Sequence, residues 1–244
     1  MTQTGIDAVA ARDAPVSQQA VHFGFYKLDP AWWELTPARR RALGNELVDL
    51  LKRWSERLLL VTYSLAGIRA DCDLMLWKAA DSVDDVHGMG IELMRSAPGR
   101  FLRPAHAYLS MTRRSVYVRN HRHDGQDGDR TKVAPVGAKY LFVYPFAKTR
   151  AWYALPLDRR QEIMNEHIRV GHEYPRVRLN TTYSFGLDDQ EFVLAFETDY
   201  PTDFLDLVMK LRETEASRYT LRDTPIFTCV KAEGRDLLRT LGID

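Results

Sequence analysis

Trp32-Trp33-Glu34-Leu35-Thr36-Pro37-Ala38-Arg39-Arg40 returns 120 residues later as Trp152-Tyr153-Ala154-Leu155-Pro156-Leu157-Asp158-Arg159-Arg160. The same offset relates Thr62-Tyr63-Ser64 to Thr182-Tyr183-Ser184, and a glycine follows each triplet by two or three residues, Gly67 and Gly186. A period this long means two related units rather than stacked solenoid turns. The chain has 244 residues, enough for one large or two ordinary domains, and the repeat decides for two. Where the copies differ is where chemistry is expected.

Working outward from the first copy, Thr36 is placed to cap a helix with Pro37 at its first position, and Leu43, Leu47, Leu50, Leu51 and Trp54 recur at helical spacing. A strand precedes it near Val21 to Tyr26. Two strands follow, Leu58 to Leu65 and Asp73 to Trp77, turning at Gly67; then come a helix from Ser82 to Ser96 and a strand from Ala105 to Met111. The order β-α-β-β-α-β is the split βαβ, or ferredoxin-like, unit. The second copy repeats it with strands at Lys139 to Phe146, Arg178 to Phe185, Glu191 to Glu197 and Thr224 to Val230, and helices at Leu157 to Gly171 and Thr202 to Glu213. The expected class is α+β, two ferredoxin-like domains at residues 21–118 and 138–244. Residues 1–20 read as a flexible arm and 119–137 as a connector. Tyr140, Phe142, Tyr144 and Phe146 alternate with Leu141 and Val143, so both faces of that strand are apolar. The two sheets are therefore expected to face each other around a barrel-like core.

Net charge is +1, from 34 basic and 33 acidic residues, which gives no global field for nucleic acid. No apolar run approaches the roughly 18 residues of a membrane span, and residues 1–20 lack a signal-peptide pattern. A cytoplasmic protein is expected. Cys72 and Cys229 have no CxxC spacing and read as reduced structural thiols. There is no GxGxxG, P-loop, GxSxG or HExxH.

His167 shares a helix face with Ile163, Val170 and Tyr174 and so points inward, whereas Leu47 holds its place in the first copy. It is either a hydrogen-bonded core histidine or a ligand; with no cysteine or second histidine at metal spacing, a haem axial position suits it better than zinc. Tyr144, in Tyr144-Pro145-Phe146-Ala147-Lys148, either packs with a free hydroxyl or serves as a redox or acid-base phenol beside the Lys148 cation. Pro145 is expected to limit pairing at the strand end. Arg212 and Ser217 either face solvent or clasp a carboxylate. His22, His87, His106, His121, His123 and His172 have no motif partner, though His121 and His123 share the connector with Arg130 and leave a gating role open. Arg39-Arg40-Arg41 reads as the solvated face of a helix.

On Tyr144-Pro-x-x-Lys148, Trp152-Tyr153-x-Leu155 with Arg159-Arg160, Met164-Asn165-Glu166-His167 and Gly186-Leu187-Asp188-Asp189 with Glu191-Phe192, the chain resembles the chlorite dismutase family, and within it the coproheme decarboxylases. The resemblance runs from residue 21 to about 232. It implies two ferredoxin-like domains per subunit, assembly as a homopentamer, and haem in the C-terminal domain only. His167 stands at the proximal iron ligand, Tyr144 and Lys148 at the reactive tyrosine and its lysine, and Arg212 and Ser217 at a propionate-binding pair. Arg130 matches a further propionate-binding arginine. Glu213 or Glu215 would be the acidic partner behind the axial ligand.

The distal position that holds arginine in chlorite-degrading members, and glutamine in some decarboxylases, falls on Leu179. Arg178 beside it faces the other side of the strand. Loss of that arginine argues against chlorite chemistry. The resemblance thus implies oxidative decarboxylation of iron-coproporphyrin III (coproheme) to haem b, with hydrogen peroxide reacting at iron and Tyr144 carrying the radical. A coproporphyrin ferrochelatase is the implied transient partner. A chlorite-degrading or peroxidase-like enzyme and a non-catalytic haem carrier or sensor are the other readings.

Overall fold

The structure, a computed structural model, describes residues 18–117 and 132–243. The N-terminal half opens with β1 (Ala20–Leu28) and a short α1 (Ala31–Glu34) that the sequence did not announce. In α2 (Pro37–Ser55), the Thr36 side chain accepts a hydrogen bond from the Arg39 amide, a cap worth about 1 kcal/mol, and Leu43, Leu47, Leu50, Leu51 and Trp54 line the buried face. The hairpin β2 (Leu59–Ser64) and β3 (Leu74–Ala80) leads to α3 (Val83–Arg95), which Ser82 caps, and β4 (Leu102–Met111) closes the unit. Gly67, the expected turn, and Gly186, the glycine after the second triplet, both have positive φ, +76° and +73°, a region open to glycine without strain.

The C-terminal half repeats the plan with β5 (Tyr140–Lys148), α4 (Arg150–Ala154), α5 (Leu157–His172), β6 (Arg178–Tyr183), β7 (Phe192–Thr198) and α6 (Pro201–Glu213). A short β8 (Thr220–Arg222) then precedes β9 (Phe227–Lys231). Pro145 does not end β5. The strand runs on to Lys148 because its pairing with β7 continues through Pro145↔Val193. On the opposite edge, β9 pairs as far as Val143↔Phe227 and β8 takes over at Ala147↔Arg222, so the missing N–H falls where the partner changes.

Each half is an antiparallel sheet, β4-β1-β3-β2 in one and β9-β5-β7-β6 in the other. The sheets do not only face each other, as the sequence led us to expect. They join edge to edge, β2 to β9 through Tyr63↔Lys231 and β4 to β6 through Met111↔Tyr183, and make one closed ring. Closure leaves none of these ring edges to pair with another chain. Phe23, Phe25, Tyr63, Trp77, Leu141, Val143, Phe227 and both cysteines fill the interior, with the free thiols buried.

A final helix, α7 (Arg235–Thr240), also escaped the sequence reading. It packs on the N-terminal half, where Leu237, Leu241 and Ile243 join that half's core and the Trp32 indole N–H donates to the Leu241 carbonyl at 2.7 Å. Gly44 makes room for it, since a Cβ there would lie 2.3 Å from Ile243. Just ahead of the expected first strand, the Gln19 amide donates to the Thr112 hydroxyl and the Gln19 side chain accepts from the Val133 amide. Among the described residues no helix is long and apolar enough to cross a membrane.

Candidate functional site

The outer faces of the two half-sheets are covered differently. In the N-terminal half one continuous cluster joins Leu43, Leu47, Leu50, Leu51 and Trp54 of α2 to Leu74 and Leu76 of the sheet, and Leu60 packs on it. In the C-terminal half the cover splits into two clusters. One holds Phe142, Tyr144, Phe196, Val170, Phe204 and Leu207; the other holds Trp152, Ile163 and Ala216.

His167 sits on α5 between these clusters, one turn after Ile163 and one before Val170. It is half-buried, and its Nδ1 is enclosed with no partner among the described residues. Burial first, and the Lys148 ammonium second, lower its pKa to about 4, so the ring is neutral at ordinary pH. A neutral imidazole is what an iron ligand requires, and with Nδ1 enclosed the nitrogen left to meet a metal is Nε2; the unpartnered Nδ1 alone does not set His167 apart, since His22 has one too. Neither Glu213 nor Glu215 is the expected acidic partner. Glu215 is held by Arg159 at 2.7 Å, and no carboxylate among the described residues reaches that Nδ1.

Lys148, at the end of β5, is buried at 9% exposure. Its Nζ donates to the Ala216 carbonyl at 3.0 Å and lies 4.7 Å from the Trp152 ring centroid. Burial lowers its pKa to about 8, against an upward pull from Glu191. Tyr144 stacks on Phe196 with centroids 5.9 Å apart. Burial, with Asp223 adding to it and Arg212 opposing it, holds the phenol protonated well above its usual range.

The Ser217 hydroxyl donates to the Arg212 main-chain carbonyl at 2.7 Å, a local bond that ties it to the end of α6 rather than to the guanidinium. The Arg212 guanidinium, however, is paired with Asp223, a residue the sequence reading missed because β8 brings it in from beyond the helix. Asp223 engages Nη2, so a carboxylate that reaches the other N–H donors of Arg212 shares the guanidinium with it. Arg130, His121 and His123 lie outside the described residues.

Leu179 lies opposite Phe196 in the β6–β7 register, which puts it on the face that carries Tyr144, and it is 38% exposed. Arg178 lies opposite Glu197, on the barrel side, as the alternation required. Thr181 and the half-buried Leu194, Phe192 and Phe146 continue the same face. The residues present therefore fit an iron porphyrin: an apolar wall on the sheet, an unsatisfied neutral imidazole on the helix, and cations at the margins. Among the remaining histidines, His106 pairs with Asp71 at 3.0 Å at a barrel mouth away from this site.

A closed antiparallel ring with helices covering both half-sheets, and a half-buried histidine on the C-terminal cover, defines the class of this protein. The chlorite dismutase family profile matches residues 39–232, and the chain belongs to that family. It is 32% identical over 200 residues to the coproheme decarboxylase of Mycolicibacterium smegmatis, covering 81% of this chain and 84% of that one. Chlorite dismutase from Candidatus Nitrospira defluvii in complex with imidazole superposes with a TM-score of 0.82 at 25% identity, covering 91% of this chain and 94% of the other. A haem-binding protein from Thermus thermophilus has the same fold, with a TM-score of 0.82 at 23% identity over 93% of this chain and 96% of the other.

Proposed function

We propose that this protein decarboxylates iron-coproporphyrin III to haem b with hydrogen peroxide as oxidant. As a member of its family it is a haem-dependent oxidoreductase. The observation that carries the finer reading is the pairing of an unpartnered, neutral His167 with a buried, protonated Tyr144 at the break in the C-terminal cover. Leu179 supports it over chlorite chemistry, because an apolar side chain there offers nothing to hold an oxychlorine leaving group.

Each turn balances as propionate, peroxide and a proton going to a vinyl group, carbon dioxide and two waters. The iron porphyrin is both substrate and redox centre for peroxide. His167 holds it from α5. Tyr144 gives up its hydroxyl hydrogen and takes one from the propionate chain; the carboxyl carbon then leaves as carbon dioxide, and the electron released with it is taken up by the second oxidising equivalent of the peroxide. Its raised pKa keeps that hydrogen in place until oxidation. Lys148, with a pKa near 8, directs the propionate toward Tyr144 and returns protons near neutrality. Arg212 and Ser217 hold a carboxylate, with Asp223 competing for the guanidinium. With this function go a homopentameric assembly, a cytoplasmic setting and substrate received from a coproporphyrin ferrochelatase.

The test is anaerobic loading with iron-coproporphyrin III, then peroxide titration and mass spectrometry of the extracted porphyrin. Stepwise loss of two carboxyl groups is expected, abolished in Tyr144→Phe while porphyrin binding persists. A bound porphyrin that is bleached or unchanged in the unsubstituted protein contradicts the decarboxylase reading and favours a peroxidase or a carrier.

A further inference from the structure

The repeat supplies an internal control for each side chain at the site. In the N-terminal half Asp73 accepts the Leu28 amide at 2.9 Å and so ties the end of β1 to the start of β3. In the C-terminal half Glu191 does the same for the Lys148 amide at 2.8 Å. That bond is common to both copies and is structural. The second bond to each carboxylate is not shared. Asp73 takes the Lys27 ammonium at 2.8 Å, a surface ion pair, whereas Glu191 takes the Tyr153 hydroxyl at 2.5 Å. Glutamate is one methylene longer than aspartate, which gives it the added reach.

Tyr153 is itself specific to this copy, since Trp33 holds its place in the first and is 52% exposed. Tyr153 packs with Trp152, Ile163 and Met164 in the cluster that borders His167. At 2.5 Å the contact is a short, charge-assisted hydrogen bond, in which the carboxylate is already the proton's acceptor. Among the described residues Tyr153 is the tyrosine whose hydroxyl meets a carboxylate at hydrogen-bond distance. A phenol that loses an electron becomes a strong acid, so a carboxylate at this distance makes electron loss far easier. Burial and the Glu191 bond also keep Tyr153 protonated until then.

We propose that Tyr153 and Glu191 form a proton-coupled electron donor to the site, a second redox-active phenol in addition to Tyr144. Hydrogen peroxide accepts two electrons; Tyr153 supplies one and the bound iron porphyrin the other. The Tyr153 O–H bond breaks, its proton passes to Glu191 Oε2, and a neutral phenoxyl radical remains. This draws off an oxidising equivalent that no propionate has consumed and limits damage to the porphyrin. The proposal rests on the reading that the site takes an iron porphyrin.

The experiment uses protein loaded with haem b, which has no propionate left to convert, mixed with peroxide and freeze-quenched for electron paramagnetic resonance. Tyr144→Phe is expected to keep a tyrosyl signal, and Tyr144→Phe with Tyr153→Phe to lose it. In the Tyr144→Phe background, Glu191→Gln is expected to lose the signal too, since glutamine still accepts from the Lys148 amide but takes no proton. The Tyr153→Phe protein is expected to bleach its haem faster than the unsubstituted one. A silent Tyr144→Phe protein with a full Soret band overturns this proposal alone, as does a tyrosyl signal that survives the double substitution. Absence of any Soret band on loading overturns the porphyrin reading and this proposal together.

Discussion

The two halves of this molecule share an element order, turn glycines and a strand-end carboxylate, yet one has a filled helical cover and the other a broken one. On β1, Gly24 stands where Tyr144 stands on β5, because each lies opposite the equivalent residue of the paired strand, Leu76 in one and Leu194 in the other. Leu47, 1% exposed, stands where His167 does. The first half thus uses Leu47 for burial, at about 25 cal/mol per Å² of apolar surface removed from water, and keeps Gly24 small under the Tyr26 and His22 side chains. The second half instead places a half-buried imidazole there, whose enclosed Nδ1 is left without a partner at a cost of roughly 1–3 kcal/mol. Stability and site formation have been divided between copies of one fold.

The sharpest way to break that contrast is His167→Leu, which gives the second half the residue of the first. Iron porphyrin affinity should fall beyond the ~10–100-fold typical of losing an outer-shell partner, while thermal unfolding of the porphyrin-free protein shifts upward. Retained affinity on optical titration would show that His167 is not the ligand. Next in size, Leu47→Ala should cost about 2–5 kcal/mol in urea unfolding, because the site is fully enclosed. Leu179→Ala, at 38% exposure in the open half, should stay within about 0.5 kcal/mol. Equal costs would mean that the second cover is as tight as the first.

A smaller effect is expected at the margin of the site. Arg212 and Asp223 form a partly exposed pair of the kind worth about 0–1 kcal/mol, so Asp223→Asn should free the guanidinium and tighten coproporphyrin binding by up to about fivefold. Weaker binding in Asp223→Asn would mean that Arg212 needs its partner to be positioned. The last effect is confined to acid pH and belongs to the closed half. Burial, then Lys78, lower the pKa of His22 to about 3, with Asp188 opposing them. The folded state keeps His22 neutral while the unfolded chain takes a proton below about 6.5. Stability therefore drops as pH falls from 6.5 toward 3, and His22→Phe, which installs the residue found at Phe142, should make that drop shallower. An unchanged slope of the unfolding midpoint against pH would assign acid lability elsewhere.

Much of this was legible in the chain because it is written locally. Thr36-Pro37 caps a helix whatever surrounds it, and Gly67 and Gly186 mark turns by backbone conformation alone. His167 stood out because a repeat shows which residue has departed from its twin. What escaped depends on distant partners. Joining β2 to β9 and β4 to β6 needs residues far apart in the chain, and nothing in either strand names its partner. α7 is too short to show a period and is held by a notch at Gly44. The Asp223 partner of Arg212 and the Glu191 partner of Tyr153 are set by β8 and β7, which no helical or strand spacing reveals.

The most direct test of the division between the halves is an optical titration of the porphyrin-free protein with iron-coproporphyrin III, counted against chain concentration. One porphyrin per chain is predicted, with a single break in the Soret titration that disappears in His167→Leu. Two porphyrins per chain, or one that binds His167→Leu as tightly as the unsubstituted protein, would contradict the account.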